Sequence, residues 1–111
     1  MLTLSVDNVN TLSYNQFVIK WDELKNLELI IKRRVSFEKI AEIIMNDGYI
    51  DILAHPKKEN QYIFIIELKE YIWVVPFVVE GDTIFLKTAF PSRKFNNIYR
   101  RGAKKDESFK K

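Results

Sequence analysis

Residues 85–105, FLKTAFPSRKFNNIYRRGAKK, hold seven Lys or Arg side chains and no Asp or Glu. Cations grouped in this way attract a polyanion and release its counterions, or stabilise charge that develops on a phosphate. Lys87 falls in a β-prone stretch and shares a strand face with Phe85 and Ala89, whereas Arg93 and Lys94 stand at a strand-to-helix junction after Pro91 and Ser92. Basic residues at a helix start oppose its dipole unless an anion lies between them, so Lys87, Arg93 and Lys94 are candidates to converge on one phosphate. Arg100 and Arg101 follow one to two turns later. The plain alternative for each is a solvated lysine or a charged helix flank, but the group as a whole has no acid nearby in sequence to pair with.

Three further side chains invite a role. His55 is the only histidine, placed before Pro56 in a polar stretch, where a loop histidine is ordinarily just exposed. Trp73 and Tyr99 have rings able to stack on bases, although Trp73 in an apolar strand reads as core and Tyr99 on the apolar side of a helix reads as packing with a free hydroxyl. Other chemistry lacks residues to rest on. With no cysteine and one histidine there is neither a disulfide scaffold nor a Cys- or His-rich metal centre, and three scattered glycines form no phosphate loop. No metal and no cofactor are expected.

The elements that must position these residues follow from periodicity. FVIKW (17–21) is a short strand, and 22–34 is a helix with Asp22 as cap and Leu24, Leu27 and Ile31 as its apolar face. Ser36 opens a second helix over 37–47, with Phe37, Ile40, Ile43 and Ile44 on one side and Gly48 as its stop. Residues 49–61 read as a loop or a short strand running into a loop. From residue 62 the period changes to two, and 62–68, 71–79 and 83–90 form an antiparallel meander in which Pro76 marks an edge or a bulge. A last helix over 93–101 starts at Ser92, carries Phe95, Ile98 and Tyr99 on one side, and ends at Gly102. The fold class is α+β: a short N-terminal strand, two helices, an antiparallel β-meander and a C-terminal helix, with 1–16 an extension of unknown role, 17–102 one domain, and 103–111 a basic flexible tail.

Composition agrees with a folded chain, since 47% of residues are hydrophobic and 30% charged over 111 positions, enough for one core. The net charge of +3 conceals a division: residues 1–83 carry nine basic against thirteen acidic side chains, a net −4, and 84–111 carry nine against two, a net +7. No apolar run reaches the roughly 20 residues that span a bilayer as a helix, so a cytoplasmic location without membrane contact is expected.

KWDELKNLELIIKRRVSFEKIAEII (20–44) resembles the start of the BrnT-type toxins, with an aromatic-Trp-Asp motif, a helix and a Ser-Phe-Glu opening of the second helix. IFLKTAFPSRKFNNIY (84–99) is similar to their last strand and its Ser-Arg-Lys turn, and DILAHP (51–56) to the segment with a loop histidine. The likeness covers about 17–101 and lies in the order and spacing of these stretches. It departs from the family at the 1–16 extension and at Asn96 and Asn97. The resemblance implies a type II toxin of RelE-like fold, neutralised by a ribbon-helix-helix antitoxin through which alone it meets operator DNA. It also implies a metal-independent endoribonuclease acting on RNA, ribosome-bound or free. Arg93 and Lys94 would then bind phosphate and transition-state charge, Lys87 would position or stabilise charge, and His55 would do acid–base work, imidazole being suited to proton transfer near neutral pH. Arg100 and Arg101 would hold the RNA backbone and Tyr99 would stack. The competing expectation is a non-catalytic module of the same fold, or an inhibitor of a protein target.

Overall fold

The computed structural model describes residues 2–4, 11–14 and 17–102; the expected tail at 103–111 and the side chain of Arg101 lie outside that description. The elements in chain order are β1 (Leu2–Leu4), β2 (Thr11–Tyr14), β3 (Phe17–Trp21), α1 (Glu23–Arg33), α2 (Phe37–Met45), β4 (Asp51–Ala54), β5 (Gln61–Leu68), β6 (Tyr71–Glu80), β7 (Thr83–Leu86), β8 (Phe90–Pro91) and α3 (Arg93–Asn96), which runs on as a π-helical segment, Asn97–Gly102. The class is α+β. The meander of β5, β6 and β7 is antiparallel, and it lies inside a larger mixed sheet of order β1-β2-β3-β7-β6-β5-β4, with β8 pairing β6 beyond the end of β7. The short strand β3 enters this sheet parallel to β7, and the start of the N-terminal extension adds β1 and β2 antiparallel outside it.

Local chemistry accounts for most of the element ends. Asp22 accepts the Leu24 N–H at 3.0 Å, and Ser36 accepts that of Lys39 at 3.1 Å, so both helices start on side-chain caps. Lys69 and Glu70 both have positive φ, as the two-residue turn of a tight hairpin requires. The stop of α2 differs from expectation. Asp47, not Gly48, takes the left-handed conformation at φ 59°, and Gly48 is needed for close approach, because a Cβ there would stand 3.0 Å from the Ile43 carbonyl oxygen.

Two apolar clusters hold the sheet on its opposite faces. On one face α1 and α2 pack Leu29, Phe37, Ile40, Ala41 and Ile44 against Ile19, Trp21, Phe64, Ile66, Trp73, Val75 and Leu86. Trp73 is therefore core, as its strand setting implies. On the other face Phe95 and Tyr99 pack over Ile65, Ile72 and Val74. The expected apolar side of α1 points elsewhere: Leu24 and Ile31 are 76% and 75% exposed, and the buried residues of the helix are Asn26 and Leu29. The cause is a polar anchor. Asn26 Oδ1 accepts the Phe37 N–H at 2.7 Å and its amide donates to Glu38 at 2.9 Å, which fixes the rotation of α1 against the start of α2.

The strand expected over 83–90 is broken. Phe77 pairs Leu86 and Val74 pairs Phe90, so Val75 and Pro76 face Lys87, Thr88 and Ala89, an excess of one residue that makes a bulge. Pro76 is the reason. Lys87 donates its N–H to the Pro76 carbonyl at 2.8 Å, but proline has no N–H to return, and the ladder parts there. Lys87 thus lies just past the end of β7 rather than within a regular strand.

Candidate nucleic-acid interface

His55 follows β4 directly, and its backbone N–H still reaches across to the Gln61 carbonyl at 2.8 Å. Its Nδ1 accepts the backbone N–H groups of Lys57 and Lys58 at 3.0 and 3.1 Å. Two donors on Nδ1 place the hydrogen of the neutral ring on Nε2, so the ring as held offers a donor to its surroundings. It lines a groove of about 400 Å³ whose wall includes Leu53, Ile63, Pro76, Val78 and Lys87. The structure thus brings His55 and Lys87, 32 positions apart, to one concavity on the sheet face that α3 partly covers.

Arg93 and Lys94 are placed differently. Arg93 lines a separate cleft of about 450 Å³ with Lys69, Tyr71, Trp73 and Pro91, sharing no wall residue with the His55 groove. Lys94 stands over the Phe95 ring, 5.5 Å from its centre. The cations taken together in sequence therefore divide between two places, Lys87 in the His55 groove and Arg93 in the cleft beside β8. Ser92 still caps α3, accepting the Phe95 N–H at 3.2 Å, while its own N–H and the Asn96 side chain bond the backbone of Ile72 and tie the helix to β6.

The last segment finds the acids that its own stretch of sequence lacks. Arg100 pairs with Glu67 at 2.8 Å, and the Tyr99 hydroxyl donates to Asp51 at 2.9 Å. Burial first, and then the Asp51 carboxylate that accepts its proton, hold the Tyr99 hydroxyl above its ordinary ionisation range. Asp51 uses its second oxygen on the Ile52 N–H at 2.8 Å, which covers a donor of β4, the outermost strand on that side of the sheet. Ile98, expected beside Phe95 and Tyr99, is 49% exposed, since the chain leaves α-helical geometry at Asn97.

Lys69 and Lys20 take places beside these cations without a signal in their own stretches of sequence, and Phe85, a strand neighbour of Lys87 in sequence, is brought next to Lys20 by register. Lys69 donates to the carbonyls of Arg33 and Arg34 at 3.4 and 3.0 Å, closing the C-terminal end of α1 beside the Arg93 cleft. Lys20 and Phe85 are register partners across β3 and β7, and the Lys87 ammonium stands 5.4 Å from the centre of the Phe85 ring. Only the register could have joined Lys20 to this group.

Among the described residues, no three His, Asp or Glu side chains come together as metal ligands, and no helix is long and apolar enough to cross a membrane. No family model, no curated protein and no solved structure matches the chain.

Proposed function

We propose that this chain is a cytoplasmic RNA-directed toxin of the BrnT type, with a RelE-like arrangement of its helices and meander, acting as a metal-independent endoribonuclease and held by a ribbon-helix-helix antitoxin. The observation that carries the reading is the groove that joins Lys87 to His55, a cation and an imidazole held through Nδ1, both lining one largely apolar concavity. Two helices ahead of an antiparallel meander, with the first domain strand parallel to the last long one, suit the RelE-like arrangement.

In such a site the ribose 2′-oxygen attacks the adjacent phosphorus, the bond to the 5′-oxygen breaks, and a 2′,3′-cyclic phosphate and a 5′-hydroxyl are left. Lys87 and His55 Nε2–H donate to the non-bridging oxygens as their charge grows. The 2′-hydroxyl proton passes to solvent and the departing oxygen takes one from solvent. Proton abstraction by His55 would require the turn at 55–58 to release Nδ1. Arg93, in its separate cleft, and Lys94 bind RNA backbone outside the groove that holds the reacting phosphate.

Purified protein should cut unmodified RNA and leave a 2′-deoxy-blocked RNA intact, with Lys87→Ala and His55→Ala each slowing cleavage roughly a hundredfold. Equal cutting of both RNAs, or none of either, rejects the nuclease. The state of His55 favours one second reading, a binding module that holds RNA without cutting it, for which the same assay gives retention and no product.

A further inference from the structure

Strand alternation sends Lys20 and Phe85 to the face opposite α1 and α2, because their neighbours Ile19, Trp21, Ile84 and Leu86 are buried under those helices, and Lys87, just past the end of β7, reaches the Phe85 ring. On that face Phe95 and Tyr99 cover Ile65, Ile72 and Val74, and the cover stops before β7, leaving Phe85 half-buried with Lys20 and Lys87 exposed beside it. The acids that alternation places on the same face are Asp51, Glu67 and Glu80. Tyr99 and Arg100 engage the first two, and Glu80 stands at the far end of β6, so the open strip around Phe85 is cationic.

We infer that Phe85, flanked by Lys20 and Lys87, is a stacking subsite for one base of single-stranded RNA, an assignment that rests on the RNA reading above. An aromatic ring on a sheet, with lysines at the spacing of neighbouring residues, meets the two parts of a nucleotide: a flat base for the ring and phosphates for the ammonium groups. In the free protein Lys87 covers the ring itself. A base arriving there takes that face, and Lys87 turns from the ring to the phosphate, which lies on the same side as the groove it shares with His55. Stacking would thereby set which phosphate stands between Lys87 and His55.

The test is fluorescence anisotropy with a labelled, 2′-O-methylated oligoadenylate, which cannot be cut, and an abasic oligomer of equal length. The wild type should bind oligoadenylate more tightly than the abasic strand. Phe85→Leu should weaken oligoadenylate binding roughly tenfold and abasic binding little, and Phe85→Trp should restore the preference. Lys20→Gln should weaken both strands alike and flatten the salt dependence. Unchanged circular dichroism and thermal midpoint in Phe85→Leu keep the comparison fair; if that variant is misfolded, loss of the base preference in Phe85→Val, a β-branched strand residue with no ring, replaces it. Binding by the wild type with no base preference, or a preference that survives Phe85→Leu, overturns the subsite alone. Absence of binding to either strand overturns the RNA reading and the subsite together.

Discussion

Truncating Asn26, which is buried, removes the acceptor for the buried Phe37 N–H and the donor to Glu38 in one step. Asn26→Ala should therefore lower unfolding free energy by about 1–3 kcal/mol in urea titration, a large effect for a polar residue. Tyr99 allows a test by pH. Its ionisation is raised in the folded state, so its contribution is complete below the ordinary value near 10 and is lost as pH climbs through the higher folded value. The stability of the wild type relative to Tyr99→Phe should be constant up to about pH 9 and should shrink above pH 10, as thermal midpoints in the two proteins would reveal. A difference that grows with alkaline pH would contradict the bond to Asp51. Neither residue announces its partner in sequence. Asn26 lies 11 positions before Phe37, and Tyr99 lies 48 after Asp51.

At the scale of elements, the three expected helix caps, the hairpin at Lys69 and Glu70, and the two long strands it joins were legible because each depends on neighbours within a few residues. The rotation of α1 was not. Its sequence offers two stripes, Leu24, Leu27 and Ile31 or Asn26 and Leu29, and hydrophobicity alone selects the first; the hydrogen bonds of Asn26 select the second. Leu24→Gln and Ile31→Gln should accordingly change stability by no more than about 0.5 kcal/mol, whereas Leu29→Ala should cost about 2–5 kcal/mol. Chemical denaturation of the three variants decides between the two stripes. The split of the last strand has a similar origin, since Pro76 is read easily as a break but which partner parts from it depends on pairing.

For the whole molecule, the sheet extends beyond the 17–102 domain because β2 pairs β3 along Phe17–Lys20. Deleting residues 1–16 would leave β3 as an open edge, and we expect a lower thermal midpoint and more light scattering on warming. An unchanged midpoint with no aggregation would mean that β1 and β2 add nothing to the sheet's stability. The same long-range pairing organises charge. The cationic run that seemed free of acids meets Glu67 and Asp51 across the sheet, which leaves Lys20, Lys87 and Phe85 uncovered and sets Arg93 apart with Lys69.

By itself the sequence determined the α+β class, the helix caps, the hairpins of the meander and the presence of a basic last quarter, all of which rest on local propensity, period and composition. Only the tertiary structure decided that α1 turns Asn26 inward, that β3 joins β7 in parallel, and that Lys87 shares its groove with His55 rather than its cleft with Arg93. The physical reason is that a strand's register and a helix's rotation are settled by partners far along the chain, and a residue's neighbours across a sheet follow from that register alone.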